Sequence, residues 1–440
     1  MRTLLHRIDS FFFARVSATG FGVMRSVWGA GLLIYFIRQW PAVTRYYSGT
    51  GQLPLWLDYT LQRTDHRFSV FLTFSHPDAV FLIYLLFLIS AACATVGFWP
   101  RLSTIVSTLL LFSFHERNSW HTTGGDIVLR SVGFLLCIAP GGVHAFSVAR
   151  ARKQWKHWSK TRTLLPPLTM PAWPQRLLLW QLLVIYLQSM WSKLLGNTWL
   201  DGTAVAIALH HTIFGRFPGA VADTVSIVAP FIGWGAIVWE AVWTLMLIPR
   251  GSRIAREFAK SGVPVDLIRR WLLASGLLVH GVFSVLLRLG SFMPAMPAIL
   301  LGNLQGEDFV AIRKRCNRRW NGKISVFYDS DCGLCGRSMC MLLLLDWLHR
   351  LRPVDFCKAQ ERTLWAPDLP LPVLDRALHV RFPDGATLKG FSAFRSLAWH
   401  LPALWPLAPL LQLPGMTFVG DRVYARVAKK RKQCNHVSCA

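Results

Sequence analysis

Apolar positions gather in eight runs along the chain, at residues 21–37, 79–98, 102–114, 127–148, 177–195, 224–248, 271–289 and 292–304. A helix needs about 20 such residues to cross a bilayer, so most of these runs predict membrane spans. The third is short. The eighth contains Pro294 and Pro297, which predicts a broken or half-crossing segment. Ahead of the first run, Arg2, Arg7 and Arg15 alternate with Leu4, Leu5, Ile8, Phe11 and Phe12, the pattern of a basic helix lying on a membrane surface. No small-residue cleavage site is evident, and Arg15 and Arg25 interrupt any signal-peptide core, so this end is expected to be retained.

After Glu307 the periodicity changes. Residues 323–329 (KISVFYD) read as a β-strand, 335–350 as an amphipathic helix and 354–356 as a second strand. Residues 377–382 and 386–390 flank Pro383-Asp384-Gly385, a hairpin signal because Gly accepts positive φ in the turn. Strand, C-x-x-C, helix and hairpin together predict a small α/β domain of thioredoxin-like type. The expected architecture is a polytopic α-helical membrane protein of about eight spans, residues 1–306. A basic linker, 307–321, and a dithiol domain, 322–440, follow. No internal repeat or low-complexity tract is present.

Composition sharpens this picture. Of 440 residues, 53% are hydrophobic and 16% charged, against about 25% charged in ordinary soluble domains. A soluble enzyme and a disordered chain are both excluded on that basis. The net charge of +26 is explained by where it falls. Arg150, Arg152, Lys153, Lys156, Lys160 and Arg162 follow the fourth run, and Arg250, Arg253, Arg256 and Lys260 follow the sixth. The intervening links carry only Arg117 and Arg216. Loops rich in Lys and Arg stay in the cytoplasm, which puts the amino terminus and both basic loops there. Arg313, Lys314, Arg315, Arg318 and Arg319 place the carboxyl-terminal domain on the same side, so the number of crossings is even, and eight fits. The partners expected are the lipid bilayer and an unidentified disulfide or peptide substrate. No basic run is interleaved with aromatics, which removes nucleic acid from the expected partners.

Seven of nine cysteines lie in the last part of the chain: Cys316, Cys332, Cys335, Cys340, Cys357, Cys434 and Cys439. Cys332 and Cys335 sit where a strand turns into a helix, and amides at a helix start favour a thiolate there. Cys332 is then the attacking sulfur and Cys335, one turn on, the resolving one. Asp329 and Asp331 oppose ionisation by their charge or, if buried, accept the thiol proton. The pair is equally half of a zinc site, which Cys434, His436 and Cys439 would complete, or two inert thiols.

Residues Tyr328-Asp329-Ser330-Asp331-Cys332-Gly333-Leu334-Cys335 resemble the signature of the DCC family of thiol–disulfide oxidoreductases. The likeness extends to Asp384-Gly385 and to Asp421-Arg422-Val423-Tyr424-Ala425-Arg426, and covers roughly residues 322–434. Ser330 departs from the usual Gly, and no counterpart is evident of the proline that thioredoxins place opposite the dithiol. The resemblance implies a redox-active Cys332–Cys335 disulfide and disulfide reductase chemistry.

The apolar half carries its own polar clusters. His115-Glu116-Arg117-Asn118 and Gly125-Asp126 open the fourth run, while Tyr186, Ser189, Trp191 and Lys193 close the fifth ahead of Trp199 and Asp201. A lysine shielded by Trp191 and Trp199 could be desolvated and act as a base, or snorkel to the headgroups. Arg117 and Asp126 could be ligands or a structural ion pair. His210-His211 reads as loop polarity. These patterns, with Glu240 and His280, resemble the HTTM family, a multi-span module related to vitamin K-dependent gamma-glutamyl carboxylase, over roughly residues 5–305. That resemblance implies Lys193 as a possible base and Arg117, Asp126, Trp199, Asp201, Glu240 and His280 as substrate contacts. It also implies a quinone as cofactor, which the dithiol could regenerate, and a bacterial inner membrane as the location. Asp126 stands where the carboxylase is expected to have a histidine. The leading expectation is a membrane thiol–disulfide oxidoreductase. The alternatives are a carboxylase-like enzyme with a regulatory dithiol and a non-enzymatic scaffold whose C-x-x-C binds zinc.

Overall fold

The computed structural model describes residues 2–65, 68–248, 252–318 and 322–429. Cys434, His436 and Cys439, the expected completion of a zinc site, lie outside the described residues. The chain forms two compact units: Met1–Ala149 with Pro167–Gly306, and Arg150–Pro166 with Glu307–Ala440. Residues 150–166, expected within the membrane part, therefore pack with the carboxyl-terminal part.

In the first unit, four helices are long and apolar enough to cross a membrane: Thr19–Ile37, Pro77–Val96, Trp173–Leu194 and Ala229–Leu247 counted with its final 3-10 turn. Pro100–Arg117 and Val265–Leu286 are also long but more polar. Two expected runs are not continuous helices. The fourth gives only Gly124–Ile138, because Pro140 disfavours helix at the residue before it and Gly141 takes a φ of +78°. The sixth is divided into Gly219–Ser226 and Ala229–Val242, with Pro230 in the first turn of the second helix. The eighth run forms Phe292–Gly302, with Pro297 inside it. At about 1.5 Å per residue it is far short of a ~30 Å hydrocarbon core.

Burial explains how that short helix is held. Ala295, Met296, Ala298 and Ile299 are fully buried in the core built around Phe21, Trp28 and Phe36 of Thr19–Ile37. Close approach requires glycine on the facing helix, since a Cβ on Gly31 would lie 2.4 Å from the Pro294 side chain. Arg25, on the same apolar helix, is buried and donates to the carbonyls of Ala94 and Thr95, the last turn of Pro77–Val96. It also bonds Val143 O at 2.9 Å and Phe146 O at 2.6 Å. A cation at a helix carboxyl end meets both the orphan carbonyls and the dipole. The expected amino-terminal amphipathic helix is present as Arg2–Phe13, with Phe11, Phe12 and Phe13 exposed. A two-stranded ribbon, Arg15–Ser17 against Thr169–Pro171, was not expected.

The second unit is a four-stranded sheet with helices. Strand order is Leu351–Asp355, Ile324–Tyr328, His379–Arg381, Thr387–Lys389, the first pair parallel and the others antiparallel. Side chains of the central strand alternate, as period 2 demands. Ile324, Val326 and Tyr328 face a core with Met339, Leu342, Leu397 and Trp158, while Phe327 faces Val354, Phe356 and Leu374. The second strand begins earlier than residues 354–356 suggest. Pro353 hid it, yet this is an edge strand, where proline is tolerated. The hairpin forms as expected, with Gly385 at φ +88°. The expected linker starts instead as a helix, Gly306–Asn317, acidic in its first turn and basic in its last.

Candidate dithiol site

Ile324–Tyr328 ends at Asp329, and the helix Gly333–Leu345 starts four residues later with Cys332 as its N-cap. Cys332 Sγ occupies the position an N-cap oxygen usually takes, accepting the Cys335 amide at 3.4 Å. The loop between is pinned by carboxylates. Asp329 Oδ1 accepts from Asp331 N at 2.8 Å and Cys332 N at 3.1 Å, and Asp355 Oδ1 accepts from Ser330 N at 3.3 Å. Asp329 is buried and its Oδ2 has no hydrogen-bond partner among the described residues. Asp331 is exposed. Of the two expected acidic neighbours, Asp329 shapes the loop and Asp331 faces solvent.

Accessibility runs against the expected order of attack. Cys332 is 2% exposed, whereas Cys335 is half-buried and lines a cavity of about 490 Å³. That volume lies in the range of small-molecule sites. Its walls are apolar, including Leu334, Met339, Phe391, Phe394, Leu411 and Val423. Tyr328 also lines it, and burial pushes its phenol up to about 12, so the hydroxyl stays protonated at neutral pH. Cys340 is buried in the core and its thiol is pushed up by desolvation, a packing residue.

Three further residues reach this site. Cys357 Sγ donates to Asp329 Oδ1 at 3.4 Å, and Asp329, Asp331 and Cys357 bring ligand atoms within 4.8 Å of one another. Arg162 Nη2 donates to Ser330 O at 2.6 Å, and Trp158 Nε1 to Gly336 O at 2.9 Å. None of the three stands in a motif with the dithiol. Arg162 read as one member of a topology-setting basic loop.

Residues 326–436 match the family model of the DCC1-like thiol-disulfide oxidoreductases. The chain carries a DCC1-like domain. The match points to thiol–disulfide redox chemistry for this domain, and covers the end of the central strand, both cysteines and the cavity. No curated protein and no solved structure matches the chain. Trp158 and Arg162 lie outside the matched span.

In the apolar unit the expected residues separate into distinct clusters. Arg117 does not pair with Asp126. Its Nη1 meets Asp58 at 2.8 Å and its other nitrogens bond the carbonyls of Tyr47, Ser48 and Leu53, which leaves a buried, structural guanidinium. Asp126 instead accepts from Thr123 N and Oγ1 at the start of Gly124–Ile138 and lies 3.3 Å from His115 Nε2. Lys193 Nζ bonds Glu240 Oε1 at 2.7 Å and Oε2 at 3.0 Å as well as Ser189 Oγ, and sits 5.0 Å from the Trp199 ring centroid. Lys193 and Glu240 therefore form an ion pair, with Ser189 Oγ as a third acceptor. His280 Nε2 is 3.0 Å from Tyr186 Oη. Asp201 turns away to cap Thr203, accepting its N and Oγ1.

Proposed function

We propose that the chain is a multi-pass membrane thiol–disulfide oxidoreductase, with an HTTM-like apolar unit and both termini cytoplasmic. The distribution of Lys and Arg supports that orientation. The observation that carries the chemistry is the dithiol at the wall of an apolar cavity, with one sulfur on a helix start and the other reachable. In this reading the Cys335 thiolate attacks a substrate disulfide, forming a mixed disulfide while the substrate's other sulfur leaves and takes a proton. Cys332, held at the helix start, then attacks Cys335 Sγ and expels the first substrate sulfur as a thiol. Two electrons pass to the substrate, and the Cys332–Cys335 disulfide remains for a thiol reductant to open. The apolar walls favour a substrate with an apolar group beside its disulfide.

Trapping tests both the class and the order. With the full chain in detergent and a lipophilic aryl disulfide, Cys332→Ser should accumulate a mixed disulfide on Cys335. Accumulation on Cys332 in Cys335→Ser, and none in Cys332→Ser, reverses the order. No adduct in either variant removes the reductase reading. A second reading, metal binding, is favoured by the proximity of Asp329, Asp331 and Cys357. It requires stoichiometric zinc that survives Cys335→Ser and is lost in Cys357→Ser.

A further inference from the structure

We infer that Arg162 and Trp158, on a segment outside the matched family span, are positioning residues for the dithiol, setting its reduction equilibrium. The inference deepens the redox reading above and rests on it.

Four observations converge. First, the two residues hold the two flanks of the C-x-x-C from one side. Arg162 bonds the carbonyl of Ser330, two residues before Cys332, and Trp158 bonds the carbonyl of Gly336, immediately after Cys335. Gly336 N in turn bonds Cys332 O at 2.9 Å, so both sulfurs sit on backbone fixed at these points. Second, the fit is close. A Cβ on Gly336 would lie 2.3 Å from Arg162 Nη1, and the glycine leaves room for the guanidinium over the first turn. Third, Arg162 adopts φ +54°, a left-handed conformation that a non-glycine residue rarely takes. Such outliers persist where the surroundings over-determine them, and cluster at functional sites. Fourth, Trp158 is 3% exposed within the core that holds Met339 and Cys340, so the segment is part of this unit's interior.

The consequence is chemical. Disulfide closure requires a narrow approach of the two sulfurs. On reduction the disulfide gains two electrons and two protons and the sulfurs separate, beside a loop whose amides bond the carboxylates of Asp329 and Asp355. Arg162 supplies the positive charge at the loop that joins these groups. It thereby favours the reduced state, and the Trp158 bond fixes the turn that carries Cys335.

The test uses full-length protein in detergent, equilibrated in glutathione redox buffers. The Cys332–Cys335 peptide is then read by differential alkylation and mass spectrometry. Arg162→Gln keeps a donor for Ser330 O but loses the charge, and should shift the exchange constant about tenfold toward the disulfide, about 30 mV for a two-electron couple. Arg162→Lys should recover part of that shift. Trp158→Phe keeps an aromatic ring in the core and removes the donor, and should shift the constant a few-fold in protein that remains folded. An intact couple that ignores both Arg162→Gln and Trp158→Phe overturns this inference alone. A wild-type protein with no reversible couple overturns the redox reading and this inference with it.

Discussion

Polar groups are buried in both units, and they are treated differently. In the apolar unit, Arg117 meets one carboxylate and three carbonyls, and Lys193 meets both oxygens of Glu240 and a serine hydroxyl. These two cations are closed off by partners, as the cost of leaving buried charge unpaired demands, whereas His115 and His280 in the same unit keep a buried Nδ1 without a hydrogen bond among the described residues. At the dithiol the accounting is open. Asp329 Oδ2 is buried with no hydrogen-bond partner among the described residues, and Cys335 faces a cavity. A site that must exchange bonds needs unsaturated positions and access, while a scaffold needs neither.

Substitutions can break this contrast. The largest effect is expected at the dithiol: Cys335→Ser should reduce disulfide exchange to background, while Lys193→Met leaves the exchange rate of folded protein unchanged. A fall with Lys193→Met as deep as that with Cys335→Ser would erase the distinction. Next, Arg117→Met takes the guanidinium away from the buried Asp58, and should cost about 3–5 kcal/mol, read as a lowered unfolding midpoint in detergent. A change below about 1 kcal/mol would mean that the pair is not held in the buried form described. Third, Leu411→Trp fills part of the cavity. It should slow exchange with a lipophilic disulfide roughly tenfold, equivalent to about 1.4 kcal/mol, and spare a small polar disulfide. Equal slowing of both would show that the cavity does not select.

The smallest effect concerns acid. Burial, and then the neighbouring Arg350, lower His400 to about 4 from its usual 6.5. The folded state holds it neutral, so between pH 6.5 and 4 the unfolded chain binds more protons. Stability from this group is therefore present above pH 6.5 and is lost as pH falls toward 4. His400→Phe, which keeps a ring beside Phe382, should flatten the midpoint–pH curve in that window. An unchanged slope would assign the acid sensitivity to other groups.

Legibility followed the range of the interactions. The C-x-x-C at a strand-to-helix turn, the hairpin at Gly385 and the amphipathic helix Arg2–Phe13 were readable because each rests on residues adjacent in the chain. The strand at Leu351–Asp355 was half visible, since Pro353 interrupts a pattern that only its edge position excuses. Run lengths misled at residues 127–148, where apolar composition continues past the end of a helix, and at 224–248, where one apolar run bridges two helices. Arg117 and Asp126, close in sequence, looked like partners. Asp58, some sixty residues away, carries no signal of its role.

The sequence by itself determined the placing of the C-x-x-C at a strand-to-helix turn and the apolar character of the long helices. Both follow from local residue type and periodicity. Only the tertiary structure decided which sulfur is reachable, that the apolar cavity lies against Cys335, and that Trp158 and Arg162 from a loop read as topology complete the dithiol site. Those features depend on contacts between segments 170 or so residues apart, and no pattern along the chain encodes which distant side chain will fill a given gap.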